Sequence, residues 1–397
     1  MNKPPKTTVI FHGVPNDTTN WLVGIDTKFF TINQLLKGIK LIPDGIHFIH
    51  YSLPSIKSND TNAATSSSIR YGRWIECDNS VTVLYWNSDL EKFDIVDDKN
   101  VPEALNYSKY TQNLGEIYSL TVAYPEDEAI WNGLISAIDL EIISDLVSLK
   151  SDSYSKEVNT ITPSTEENTI LSNQLKSKDP TRELDPNLIS GSEIQFTILN
   201  FKQKRDNVSL EQISQDYLDK SWYLEETFGH DTDFVLGELQ LSFVQFIILG
   251  NFCSGLQWLN TLKLLSMSKT FIVANKSFSL KFLRSFKLQL ESIPAEYIGE
   301  TISLNSAVDT KNFIGIMENF VKDVYPREMW GNDDCCGKMK VNGMVVDTWK
   351  KILLLIQQRF QLDLSNLENR KVDEDQFEVF DLKDYDENDE DVPAIVS

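Results

Sequence analysis

The stretch Phe234–Leu249 constrains this chain more than any other. It is apolar nearly all round a helical wheel, with Val235, Leu236, Leu239, Leu241, Phe243, Val244, Phe246, Ile248 and Leu249. A helix with no polar face cannot lie on a surface, so other elements must surround it. Thr232 stands where such a helix would open. Helical periodicity continues on both sides. Ser209 and Gln212 have the spacing of a capping box ahead of Leu210, Ile213, Tyr217, Leu224 and Phe228, with Gly229 at the expected stop. Further helices are predicted over Cys253–Met267, about Val273–Ser292 (ended by Pro294), Thr310–Val324 and Val345–Phe360. About six helices on short connections predict an all-α array.

The first hundred residues follow a different period. Short β-branched and aromatic runs recur at Thr8–Phe11, Lys28–Ile32, Gly38–Ile42, Ile46–Tyr51, Arg70–Cys77 and Val81–Trp86, separated by turn formers. Pro43-Asp44-Gly45 predicts a hairpin between Ile39–Ile42 and Ile46–Tyr51. Residues 57–68 are polar and read as a loop. A single helix is predicted from Pro125 to about Lys150, opened by Glu126, Asp127 and Glu128, with Trp131, Leu134, Ile135, Ile138, Ile142 and Leu146 on one face. The fold class expected is α+β: an N-terminal β-rich domain over 1–150, a flexible linker over 151–190, a C-terminal all-helical domain over 191–367 and an acidic tail over 368–397. The linker reading rests on Ser, Thr, Asn, Lys and Asp interrupted by Pro163, Pro180 and Pro186.

Charge narrows the function. Lys and Arg number 37 against 59 Asp and Glu, for a net charge of −22 over 397 residues. Nucleic-acid affinity comes largely from cations neutralising phosphates, and no Lys/Arg cluster stands out, so direct binding to nucleic acid is not expected. Residues 372–391 alone carry eleven acids and one lysine. Within that run lies an apolar island, Phe377-Glu378-Val379-Phe380-Asp381-Leu382. Its alternation suits a docking strand, with Phe377 and Val379 serving one face and Phe380 and Leu382 the other. These four are the candidate partner-binding residues.

Four cysteines, Cys77, Cys253, Cys335 and Cys336, form no disulfide framework, and a reducing compartment is the natural expectation. The N-terminal Val9–Phe11 run is too short for a signal-peptide core, and Phe243–Leu249 too short for a membrane span, so a soluble, intracellular protein without membrane contact is expected.

The usual catalytic constellations do not assemble. Gly331 to Gly337-Lys338 is one residue too long for a phosphate loop, and Met339 replaces the required hydroxyl. Cys335 and Cys336 are too close for zinc spacing. Asp384, Asp386 and Asn388 imitate the start of a calcium loop, but Asp389 replaces the glycine and Ile395 the bidentate glutamate. His47 and His50 are three apart in a predicted strand, so they face opposite sides, one packed and one exposed. Asp231 and Thr232 read as cap residues beside His230. No catalytic residue, cofactor or metal is predicted. Alternatives from other classes are a hydrolase using His47 or His230 as base, and a direct RNA binder using exposed aromatics.

Two long ordered strings carry a family resemblance. The first runs from Gly13-Val14-Pro15 through Gly24-Ile25-Asp26 to Gly38-Ile39-Lys40-Leu41-Ile42-Pro43-Asp44-Gly45-Ile46-His47-Phe48-Ile49-His50-Tyr51-Ser52. The second runs from Val235-Leu236-Gly237-Glu238-Leu239-Gln240 through Gly250-Asn251 and Trp258 to Leu265. Both resemble the A1-cistron splicing factor family, with Val81–Trp86, Tyr124-Pro125, Trp131, Ser221-Trp222-Tyr223-Leu224 and Arg359-Phe360 in the family order. The resemblance implies a non-catalytic assembly chaperone of the U5 small nuclear ribonucleoprotein. It implies a large spliceosomal scaffold protein as partner, held at its RNase H-like and nuclease-like domains in a U5 precursor particle. It also implies blocked premature helicase and RNA binding, and residence in cytoplasm and nucleus. Gly24, Pro43 and Gly45 of the motif read as turn determinants.

Overall fold

The computed structural model describes residues 6–15, 21–31, 36–52, 69–96, 114–125, 128–149, 157–178, 192–298, 310–326, 339–362 and 364. The loop expected at 57–68, the Cys335-Cys336 pair, most of the Gly331 loop and the acidic tail lie outside these residues. The architecture is α+β, an N-terminal β region followed by a helical C-terminal region.

Elements in chain order are β1 (Thr7–His12), β2 (Leu22–Ile25), β3 (Lys28–Thr31), β4 (Gly38–Ile42), β5 (Gly45–Ser52), β6 (Arg70–Cys77), β7 (Val81–Asn87) and β8 (Lys92–Val96). After α1 (Leu114–Ser119) and β9 (Thr121–Ala123) come α2 (Ala129–Leu134), α3 (Leu140–Leu146) and β10 (Val147–Leu149). β11 (Glu157–Asn159), α4 (Thr165–Lys178) and β12 (Ser192–Ile194) lead into the helices. These are α5 (Leu210–Leu218), α6 (Ser221–Thr227), α7 (Thr232–Leu249), α8 (Phe252–Ser266), α9 (Lys269–Ala274), α10 (Lys276–Ser292), α11 (Thr310–Asn319, running into a π-turn over Phe320–Val324) and α12 (Met339–Phe360).

Two five-stranded sheets, ordered β8-β7-β1-β4-β9 and β11-β6-β5-β2-β3, enclose Val9, Phe11, Trp21, Ile25, Ile49, Tyr51, Leu84, Trp86 and Phe93. The aromatic members meet at angles that favour edge contact: Trp21 and Trp86 have ring centroids 4.7 Å apart, Tyr51 and Phe93 4.9 Å. The hairpin expected at Pro43-Asp44-Gly45 is not formed. β4 pairs with β1 and β9, whereas β5 pairs with β2 and β6 in the other sheet. The turn, with Gly45 at φ +126°, is therefore a corner between sheets. Local turn chemistry is the same for a hairpin and a corner. What decides is that Ile42 and Ile49 both enter the core between the sheets.

The second sheet is covered on both faces. Phe48 and Trp74 of its outer face join the helical core, with Trp74 and Trp131 6.1 Å apart and the Trp131 indole donating to Ile46 O at 2.9 Å. One continuous cluster runs from Phe48 and Trp74 through Ile142 and Phe243 to Ile356. The flexible linker predicted at 151–190 needs correction over its described part. β11 pairs antiparallel with β6, and α4 is helical. Polar composition hid this because β11 occupies an edge and buries only Val158 among its three residues. Asn251 fixes the next turn: its Nδ2 donates to Asn159 O and Thr162 O, both at 2.9 Å.

The single helix predicted from 125 to 150 is also two helices and a strand. α2 stops at Ile135, and α3 restarts at Asp139, whose side chain accepts from Ile142 N. The break exposes the Ala137 amide to Gln240 Oε1, 2.7 Å away on α7. Likewise Asp219 separates α5 from α6, by accepting from Ser221 N and Thr270 N. α7 matches its expectation and is buried along nearly its whole length. Its 18 residues satisfy the length and hydropathy of a membrane span, but 78% of them are buried inside the fold.

Gly237 allows this packing. A Cβ there would lie 2.3 Å from Ile142 Cδ1 and 2.7 Å from Ala137 O, a backbone atom that cannot swing aside. Gly237→Ala should therefore lower the unfolding free energy by roughly 2–3 kcal/mol, the scale of overpacking in a tight core. Because α3 and α7 share the cluster that covers the second sheet, near-ultraviolet and far-ultraviolet circular dichroism should report the same lowered midpoint. Separate transitions for the β and helical signals would contradict a shared core.

Candidate functional site

The histidines are the first place to look for chemistry, and the structure spends His47 and His50 on packing. Asp26, at φ +56° between β2 and β3, is almost fully buried. Its Oδ1 accepts from Phe48 N at 2.9 Å, and its Oδ2 from the Tyr124 hydroxyl at 2.6 Å and His47 Nδ1 at 2.8 Å. His47 Nε2 lies 3.1 Å from Pro43 O. Both ring nitrogens thus have partners, and the ring is buried, so His47 is not placed to take a proton from a substrate. Burial and the neighbouring Asp26 carboxylate both push the Tyr124 phenol above its ordinary range.

His50 corrects a second expectation. One of His47 and His50 was to be exposed, yet both are buried, because β5 is covered on both faces. His50 Nε2 donates to Asp26 O at 3.0 Å, and burial pushes its pKa down to about 3. Gly24 is needed here. It lies inside β2, not in a turn, and a Cβ would fall 1.9 Å from His50 Cε1. His230, at φ +63°, precedes the Asp231 cap, which accepts from Asp233 N and Phe234 N. No group of three or more His, Cys, Asp or Glu with metal-binding geometry occurs among the described residues.

A second buried carboxylate, Glu238 of α7, is likewise saturated. Thr197 N (2.9 Å), Thr197 Oγ1 (2.7 Å) and Gln257 Nε2 (2.6 Å) all donate to it. Burial raises its pKa, and those three donors oppose the shift. Such a group holds the 195–200 strap against α7 and α8; it faces no cleft.

The surface offers a better candidate. A cleft of about 420 Å³ opens between the 201–205 strap and α5, lined by Phe201, Lys202, Lys204, Arg205, Ile213, Asp216, Tyr217 and Lys220. Sequence reading found no basic cluster, because Lys220 lies fifteen residues beyond Arg205 and acids intervene. The fold gathers these cations. The visible signal was the short run Lys202-Gln203-Lys204-Arg205. Arg205 is committed to the wall: its guanidinium donates to both oxygens of Asp216, at 2.7 Å from Nε, and covers the Trp222 ring at 4.9 Å. Those bonds hold the Asp216 carboxyl below its usual range. Lys220 is only 4% exposed, yet its ammonium sits over the Tyr217 ring at 5.7 Å, and burial lowers its pKa. Tyr217 and Leu218 are themselves 72% and 76% exposed. This arrangement suits an anionic ligand that also carries apolar groups. The predicted partner-binding residues Phe377, Val379, Phe380 and Leu382 lie outside the described residues.

Comparison with known proteins agrees over both halves. Residues 5–148 match the AAR2 N-terminal domain, and residues 196–365 match the AAR2 C-terminal repeat region. The A1 cistron-splicing factor AAR2 of Saccharomyces cerevisiae is 26% identical over 345 residues, 82% of this chain and 90% of that protein. The human Protein AAR2 homolog is 26% identical over 317 residues, 75% of this chain and 78% of its own. The Caenorhabditis elegans homolog is 23% identical over 319 residues, covering 76% and 83%.

The buried histidine gives a pH test. The unfolded chain takes up a proton at His50 near pH 6.5, whereas the folded chain resists until about pH 3. Stability from this source is therefore complete above pH 6.5 and falls by up to about 1.4 kcal/mol per unit as the pH drops below it. His50→Gln should lose that component, so its urea midpoint should fall less steeply than the parent's between pH 6.5 and 4.5. Parallel slopes for the two proteins would show that His50 takes up its proton without unfolding.

Proposed function

Because this chain belongs to the AAR2 family of splicing factors, we propose that it is a non-catalytic assembly factor of the U5 small nuclear ribonucleoprotein in pre-mRNA splicing. In this reading it holds the large spliceosomal scaffold protein at its RNase H-like and nuclease-like domains. It keeps the helicase and RNA from binding that surface too early, and it works in both cytoplasm and nucleus. The observation that carries the proposal is the pair of family matches, in order, across both halves of the chain. The saturated hydrogen bonding of His47, Asp26 and Glu238 supports a binding role over a hydrolytic one.

Electrostatics supports it further. A protein of net charge −22 attracts basic surfaces that would otherwise take RNA, and like charge keeps RNA away. The tail residues Phe377, Val379, Phe380 and Leu382 supply a strand that can add to an exposed sheet edge, and an RNase H-like domain offers such a sheet. A direct RNA-binding reading is favoured by one specific observation, the basic cleft with its exposed Tyr217.

Affinity capture from an extract with mass spectrometry should recover the scaffold protein. Phe377→Asp combined with Phe380→Asp should weaken that capture strongly; unchanged capture would rule out the docking strand. The isolated protein should give no gel shift with U5 RNA at micromolar concentration and near-physiological salt. A shift that fades steeply with salt would instead establish the RNA-binding reading.

A further inference from the structure

The basic cleft and the acidic tail belong to one chain and have complementary chemistry. Lys202 and Lys204 are exposed on the cleft rim, and among the described residues neither ammonium has an acidic partner. Arg205 is neutralised by Asp216. Lys220 adds a nearly buried cation whose described counter-charge, the Asp216 carboxylate, is shared with Arg205. A nearly buried ammonium that shares its only described carboxylate with a guanidinium is under-compensated, and an arriving anion relieves that cost. Around these cations lie Phe201, Ile213 and Tyr217, with Leu218 and Leu210 exposed on the same helix. The site therefore asks for carboxylates interleaved with large apolar side chains.

We propose that this cleft is the resting site of the chain's own acidic segment, residues 372–391. That segment places Phe377, Val379, Phe380 and Leu382 among eleven acids. Its acids answer Lys202, Lys204 and Lys220, and its aromatic pair answers Phe201, Ile213 and Tyr217. Reach is ample. From Leu364 to Asp391 the chain extends to roughly 90 Å at about 3.3 Å per residue, whereas a compact body of this length has a radius of gyration of roughly 21 Å. Tethering also favours this occupant over a free peptide. An effective concentration on the order of 1 mM keeps a contact of about 100 μM intrinsic affinity roughly nine-tenths closed. Folding back would shield the apolar island until a partner with a stronger site draws the tail away. The inference concerns the free protein and stands whether or not the scaffold protein is that partner.

Zero-length carbodiimide coupling tests it, since that reagent joins an ammonium only to a carboxylate in contact with it. The full chain alone, at low micromolar concentration and low salt, should yield links from acids of 372–391 to Lys202, Lys204 and Lys220, read by mass spectrometry. Those links should fall several-fold in 0.5 M salt, where screening is short-ranged, and their yield should not change on dilution. Lys202→Glu with Lys204→Glu should abolish them and enlarge the radius of gyration in small-angle scattering. The thermal midpoint should stay put, because both side chains are exposed. Tail links scattered over exposed lysines elsewhere, or a pattern unchanged in the double variant, would overturn the proposal. So would links whose yield rises with protein concentration, because the cleft would then hold a second copy's tail. Absence of tail links in the free chain, with an oligonucleotide shielding Lys202 and Lys204 from a small amine-reactive probe, would overturn it as well, in favour of nucleic acid as the occupant.

Discussion

Helix α7 has no solvent face, and everything else in the molecule is arranged to give it neighbours. Its apolar side chains, from Val235 to Leu249, would each lose roughly 1.5–3 kcal/mol of burial if left exposed. Its polar side chains then choose which neighbours fit. Gln240 requires Ala137 N, Ser136 and Ser285, and Glu238 requires Thr197 and Gln257. Even its last carbonyls are claimed from the β half. Arg70 donates to Ile248 O at 2.9 Å and Thr160 Oγ1 to Leu249 O at 2.8 Å, where an α-helix ordinarily leaves acceptors unpaired. Apolar burial supplies the stabilisation, while these directional bonds fix one register of sheet against helix.

The buried ionisable groups of the β half are structural in the same way. Asp26, His47 and Tyr124 tie the β2–β3 turn, the β5 strand and the segment after β9 into one hydrogen-bonded corner. A carboxylate so buried must have its oxygens occupied, and it does. Nothing is left over to meet a substrate.

Charge is distributed unevenly over that body. Nearly half of the net negative charge lies in residues 372–391. The cleft between the 201–205 strap and α5 has a rim of lysines instead. A whole-chain charge of −22 therefore describes the protein's long-range field but not its recognition surfaces. Arg205, held by Asp216 and stacked over Trp222, serves the cleft as a wall, while Lys202 and Lys204 supply its charge and Lys220 shares Asp216 with Arg205.

The sequence by itself determined the class of fold, since a period of two before residue 96 and a period near 3.6 after residue 209 admit only strands and helices respectively. It also determined the burial of Phe234–Leu249 and the caps at Ser209 and Asp231, because those depend on neighbours within a turn. The tertiary structure alone decided which strands pair. Pro43-Asp44-Gly45 became a corner between sheets, both faces of β5 were covered so that His47 and His50 were buried together, and Val158 drew a polar segment onto the sheet edge. It likewise brought Lys220 beside Lys202 and Lys204. Local propensity is set by a residue's own backbone and its nearest neighbours, whereas pairing, burial of polar groups and charge clusters depend on residues tens or hundreds of positions apart, and only the packed core brings those together.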